Sequence, residues 1–166
     1  MEPTSLQKLI DLKGKTAIVT GGALGIGFGI ACRLAEAGAN VVIADINEEM
    51  GTKAIQKLNE NGRKTAFIKT DVSSEADVEA AAHFATTTFG SVDILVNNAG
   101  IYPIIPVMNM ALSDFEKILA VNLKSAFLFT KAVAEIMISG GKGGKIINIT
   151  SLDALHPSSV GLAVYD

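Results

Sequence analysis

The sequence predicts an α/β fold, a doubly wound parallel sheet with helices on both faces, and three observations predict it. Short runs rich in Val, Ile and Thr recur along the 166 residues, and a segment of helical spacing separates each run from the next. The runs are apolar at consecutive rather than alternate positions, as expected of strands covered on both sides. Strict alternation of strand and helix calls for parallel pairing through right-handed crossovers.

Residues 16–20 (TAIVT) read as a buried strand, and 26–37 as a helix with Gly38 placed to cap its end. Residues 40–45 (NVVIAD) are a second strand, and 48–59 a second helix capped by Asn47. A third strand spans 65–70, with a helix over 75–89 behind Ser74. The fourth strand, 92–96 (VDILV), runs into Asn97-Asn98-Ala99-Gly100. Residues 101–112, with Pro103 and Pro106, form a loop. Ser113 and Glu116 then make a capping box that opens a long helix running to about Ile138. The glycine-rich turn 140–144 leads to a fifth strand, 145–149 (KIINI). No repeat or linker interrupts this order, so residues 1–166 are expected to form a single domain.

Composition narrows the function classes. With 49% hydrophobic and 19% charged residues the chain suits a globular domain with its own core. The net charge is −3 and the cations are scattered, so there is no basic stripe for nucleic acid. No apolar run approaches the roughly 20 residues of a membrane helix. The single cysteine, Cys32, cannot form an internal disulfide, and residues 1–10 lack the apolar core of a secretory signal; the expected location is cytoplasmic. No cluster of His, Cys and carboxylates has metal-ligand spacing, so no metal is expected. Mean hydropathy is high, +0.39. The long helix over 113–138 carries Phe115, Ile118, Leu123, Phe127, Phe129 and Val133 on more than one stripe. Its second apolar face is expected to meet another copy in a homodimer or homotetramer.

The chemistry starts at Thr20-Gly21-Gly22-Ala23-Leu24-Gly25-Ile26-Gly27, where the first strand turns into the first helix. The unpaired N–H groups and positive dipole end of a helix make that place an anion site. Gly21 can take the tight turn, Gly25 lets the backbone approach a pyrophosphate, and Gly27 permits close helix packing. Asp45 ends the next strand, where a carboxylate would accept hydrogen bonds from ribose hydroxyls. It would repel a 2′-phosphate, and no cation follows it in Asp45-Ile46-Asn47-Glu48, so NAD is favoured over NADP. The competing reading is that Asp45 merely caps the following helix.

The spacing Gly21-x-x-x-Gly25-x-Gly27 resembles the short-chain dehydrogenase/reductase family, and the resemblance continues from about Gly14 to Asp166. Asp71-Val72, Asn97-Asn98-Ala99-Gly100, Val121-Asn122, Ile149-Thr150-Ser151 and Tyr165 match the family's motifs in order. The resemblance implies a Rossmann-like three-layer fold with strand order 3-2-1-4-5. It implies a cofactor lying against Gly21, Ala23, Leu24, Gly25, Ile26 and Gly27, then Asp45 and Ile46, then Asp71 and Val72, then Asn98, Ala99 and Gly100, and finally Tyr165. Tyr165 would be the acid/base, Ser151 would hold the substrate oxygen beside it, and Asn122 would help organise a proton relay. The reaction implied is hydride transfer between nicotinamide and a secondary alcohol or ketone, such as a 3-oxoacyl, sugar or steroid-like substrate. An unperturbed phenol titrates near 10; the family lowers it with a lysine four residues after the tyrosine. That lysine, the following helix, two further strands and the closing loop do not fall within these residues. The expectation is a piece of an active enzyme. The alternative is a nucleotide-binding module without turnover. A P-loop NTPase is disfavoured because no Gly-Lys-Ser/Thr follows the glycines.

Overall fold

The computed structural model describes residues 9–60, 62–156 and 161–165. Its strands are β1 (Thr16–Thr20), β2 (Asn40–Asp45), β3 (Thr65–Lys69), β4 (Ile94–Asn97) and β5 (Lys145–Asn148). They pair in parallel in the order β3-β2-β1-β4-β5, the doubly wound sheet that the alternation predicted. The connecting helices are α1 (Gly25–Glu36), α2 (Glu48–Asn59), α3 (Glu75–Phe89), α4 (Leu112–Leu119) and α5 (Ser125–Ser139).

Alternation along each strand assigns side chains to one helical layer or the other. Ile18, Val42 and Leu95 point into a cluster with Val78, Ala82 and Ala85 of α3 and Phe129 and Val133 of α5. Their neighbours Ala17, Val19, Val41, Ile43 and Val96 meet Ala31 and Ala35 of α1 and Ala54 and Leu58 of α2. Phe129 is completely buried; burial of a side chain of this kind contributes about 1.5–3 kcal/mol. Small residues on α1 and α3 let those helices approach the sheet closely.

The structure departs from the sequence expectations at several points. The fourth strand is assigned from Ile94, although the Asp93 backbone still bonds both neighbours, its N–H donating to Thr16 O (2.8 Å) and its carbonyl accepting from Lys145 N–H (2.9 Å). The first and third connections shift by a residue: α1 starts at Gly25, β3 stops at Lys69, and Gly38 (φ +98) follows the Ala37 cap. There is no capping box at Ser113. The N-cap is Ala111, whose carbonyl accepts from Asp114 N–H (3.0 Å) and Phe115 N–H (3.2 Å). Ser113 therefore lies inside the first turn, past the position from which a hydroxyl serves as cap. The long helix is also interrupted by a π-helical turn, Ala120–Lys124. Two-sided cover is not seen at β5, which is exposed along its length: among the described residues it stands at the end of the sheet with no helix over it. Along the long helix Ile118, Leu128, Val133 and Met137 face inward, whereas Leu123 and Phe127 are exposed. The loop at 101–112 contains a short 3₁₀ turn, Val107–Asn109.

Asp93 ties β1 to β4. Its carboxylate accepts from Lys15 Nζ (2.9 Å), Thr16 N–H (3.0 Å) and the Ser91 hydroxyl (2.9 Å). Burial pushes the carboxyl up, but Lys15, the Thr16 N–H and Ser91 together outweigh it and hold Asp93 below the ordinary value of 3.8. A carboxyl depressed in the folded state adds stability above its unfolded pKa and loses it as pH falls through the folded one. Asp93→Asn should thus lower the urea midpoint at neutral pH, and the gap from wild type should close below pH 3.8. A gap that stayed constant on acidification would refute this assignment.

Candidate functional site

The carboxyl ends of all five strands lie at one edge of the sheet, where open α/β folds bind ligands. There β1 passes through Thr20 into the glycine turn. Gly21 and Gly25 have φ of +61° and +55°, a region L side chains avoid. A Cβ on Gly27 would sit 2.1 Å from the Gly21 carbonyl oxygen and 2.5 Å from Asn98 Nδ2. Above Gly25, by contrast, a Cβ would meet nothing within 4 Å. The N-cap of α1, Leu24, is extended and makes no side-chain cap, and no acidic residue stands in the first turn. The next two helices are capped by Asn47 and Ser74 and carry acids in their first turns. The first turn of α1 thus places no negative side chain of its own over the positive helix end, which suits an anion.

Asp45 binds the glycine turn directly. One carboxylate oxygen accepts from Ala23 N–H (3.0 Å) and the other from Asn47 N–H (3.0 Å). The helix cap itself is Asn47, which accepts from Met50 N–H (3.0 Å). Asp45 is therefore not the cap; it links the turn to the end of β2, with lone pairs remaining for a ligand.

Asn98 closes the other side. Its Nδ2 donates to the carbonyls of Thr20 (2.9 Å) and Gly21 (3.1 Å). In return the Thr20 hydroxyl oxygen accepts from the N–H groups of Asn98 (2.9 Å) and Ala99 (3.0 Å). Sequence reasoning missed Thr20. The available signal was a hydroxyl at the end of a wholly buried strand, which must find partners.

A cleft of about 780 Å³ runs along this edge, lined by Gly21, Asp45, Ile46, Asp71, Val72, Asn98, Ala99 and Gly100. That lies within the roughly 300–1,000 Å³ of small-molecule sites. Thr70, Ser73, Ser113, Glu116 and Lys117 also line it, beside Ile101, Ala120 and Val121, and none of those five was singled out from sequence as a site residue. Ala23, Leu24, Gly25, Ile26 and Gly27 do not line it. Asp71 accepts from the Ser73 hydroxyl (2.7 Å) and N–H (2.9 Å). Those two bonds hold its carboxyl below the usual range against a smaller opposing effect of burial, with Lys124 and Lys117 adding to them.

The three residues expected to act on substrate lie outside the cleft lining. Asn122 sits in the π turn, and both ends of its amide engage Ile101. Oδ1 accepts from Ile101 N–H (2.9 Å), and Nδ2 donates to Ile101 O (2.8 Å). Ser151 follows β5; its Oγ accepts from Asp153 N–H (3.2 Å) and donates to Asp153 Oδ2 (3.3 Å). Tyr165 packs against Tyr102, with ring centroids 6.0 Å apart and planes at 61°. Among the described residues no hydrogen bond joins Ser151 to Tyr165. No group of three or more His, Cys, Asp or Glu among those residues could hold a metal ion. No described helix is long and apolar enough to cross a membrane.

The family model of the short chain dehydrogenases matches residues 15–166. The chain belongs to that family. A 3β-hydroxysteroid dehydrogenase 2 of Eggerthella lenta is 42% identical over 153 residues, which cover 92% of this chain and 59% of that protein. A diacetyl reductase ((S)-acetoin forming) of Staphylococcus epidermidis is 38% identical over 151 residues, 91% of this chain and 58% of that one. Among solved structures, a 7α-hydroxysteroid dehydrogenase complexed with NADH and 7-oxo glycochenodeoxycholic acid superposes with a TM-score of 0.90 at 36% identity. That match covers 98% of this chain and 62% of the other. The short-chain dehydrogenase chain described here thus spans about three-fifths of the length of these relatives.

Proposed function

We propose that the protein is an NAD(H)-dependent oxidoreductase that moves hydride between the nicotinamide and a secondary alcohol or ketone. The observation that carries this reading is the cleft at the carboxyl edge of the sheet, with an uncapped helix N-terminus behind the glycine turn and the Asp45 carboxylate on its wall. Family membership and the NADH bound to the 7α-hydroxysteroid dehydrogenase support it. In this reading Gly21–Gly27 face the pyrophosphate and Asp45 and Ile46 the adenosine ribose. Asp71 and Val72 face the adenine, and Asn98, Ala99 and Gly100 the second ribose. The residues fit such a ligand: the ground above Gly25 is open, and no cation adjoins Asp45 in sequence to receive a 2′-phosphate. When bound, the cofactor supplies or accepts the hydride.

The chain's own residues handle orientation and the proton. Tyr165 Oη gives a proton to the carbonyl oxygen in reduction and takes it back in oxidation. Ser151 Oγ turns from Asp153 to hydrogen-bond the same substrate oxygen. Asn122 acts through Ile101, keeping the loop after β4 in place. Copies of the chain associate through the long helix, whose exposed Leu123 and Phe127 need cover. The intact protein works in the cytoplasm on small molecules.

Cofactor choice tests the reading. In the intact protein, Asp45→Ala combined with Ile46→Arg should shift the ratio of NADPH to NADH affinity by about tenfold or more, or ~1.4 kcal/mol. Titration of the reduced cofactors by fluorescence measures it. An unchanged ratio would remove Asp45 from the ribose site, and failure of wild type to bind either cofactor would end the proposal.

A further inference from the structure

The loop that follows β4 does more than connect. It is held at its root, where Asn122 brackets the peptide groups of Ile101 on both sides. Four residues on, Ile105 N–H donates to the Gly161 carbonyl (2.8 Å), so the same loop grips the segment that carries Tyr165. Gly161 has φ +97, and a Cβ there would lie 3.1 Å from both Ile104 Cγ2 and Ile105 N. Leu162, next in line, is buried, and its carbonyl accepts from Tyr165 N–H (2.7 Å). Between these two attachments the Tyr102 ring meets the Tyr165 ring in an edge-on arrangement. Tyr102 is otherwise 68% exposed and has no other partner ring among the described residues.

We propose that Tyr102 is a positioning residue for Tyr165: its ring braces the Tyr165 ring on a loop that Asn122 anchors, so that the direction of the Tyr165 hydroxyl is set from the π turn of the long helix. The inference rests on the acid/base role proposed for Tyr165. The physical case is that the half-buried phenol of Tyr165 has rotamer freedom to lose. An edge-on aromatic pair restricts that freedom without taking the hydroxyl. Misplacement of a reacting group by about 1 Å can cost up to about 100-fold in rate. The ring of Tyr102 matters in this account and its hydroxyl does not.

The test compares Tyr102→Ala with Tyr102→Phe in the intact protein. Tyr102→Ala should lower kcat about tenfold, with the dissociation constant for NADH unchanged, because Tyr102 does not line the cofactor cleft. Tyr102→Phe should restore most of the rate. A second measurement needs no turnover: in protein labelled with 3-fluorotyrosine, the ¹⁹F resonance of Tyr165, assigned by its loss in Tyr165→Phe, should move in Tyr102→Ala and stay near its wild-type position in Tyr102→Phe. A Tyr165 resonance identical in the two variants, or a kcat equally low in both, would overturn the brace. Should wild type itself reduce no ketone while the resonance behaves as expected, the brace stands and the acid/base role of Tyr165 falls.

Discussion

Tyr165→Phe should lower turnover by about 10²–10⁴-fold, the usual contribution of a positioned acid/base group, while NADH binding stays within experimental error. The substitution is clean by geometry. Phenylalanine retains the ring that packs against Tyr102, and the turn closed by the residue 165 N–H and the Leu162 carbonyl is a backbone contact. Only the hydroxyl is lost, and Tyr165 lies outside the lining of the cofactor cleft. The assay is consumption of NADH by the intact protein with a panel of ketones, alongside direct titration of NADH. Wild-type rates in the variant would take the proton-transfer step away from Tyr165. Lost NADH binding would mean that the residue supports the cofactor instead.

Gly27→Ala should abolish NADH binding and destabilise the fold, whereas Gly29→Ala, half a turn along the same helix, should do neither. A methyl group on Gly27 would overlap the Gly21 carbonyl oxygen at 2.1 Å and Asn98 Nδ2 at 2.5 Å. Neither can retreat alone, since Asn98 Nδ2 is bonded to the Gly21 and Thr20 carbonyls and the Asn98 backbone is bonded to Thr20. Overpacking of this kind costs about 1–3 kcal/mol, and each hydrogen bond broken in relieving it adds about 0.5–1.5 kcal/mol. At Gly29 a Cβ meets nothing within 4 Å, so replacing a helical glycine there should raise stability by about 0.5–1 kcal/mol. Urea denaturation of both variants, with NADH titration, measures the contrast. Equal behaviour at the two positions would show that the turn yields more readily than its bonding implies.

Much of this was legible in the chain because it depends on near neighbours. The strand TAIVT, the turn that follows it and the acid at the end of NVVIAD are each a local pattern, and the parallel sheet brings them together at one edge in the predicted order. The unexpected details came from partners far apart in sequence. Asp93, at the start of β4, spends its carboxylate on Lys15 and Thr16 at the start of the neighbouring strand. Ser113 and Glu116 have the spacing of a capping box, yet the helix starts at Leu112 and turns both side chains to the cleft wall. Asn122 looks misplaced in a helix by propensity. Its reason is the Ile101 peptide, which only the folded chain puts within reach.

By itself, then, the sequence determined the fold class, the strand order that its family resemblance implied and the membership of the short-chain dehydrogenase family. Those follow from hydrophobic period, turn chemistry and motif order, which are properties of the chain read in one dimension. Tertiary structure alone decided how the glycine turn is held, between Asp45 on one side and Asn98 with Thr20 on the other. It alone placed the Tyr102 ring against Tyr165. Hydrogen bonds and ring contacts have a reach of a few ångströms, so which residues share them is set only when the sheet has brought distant segments to the same edge.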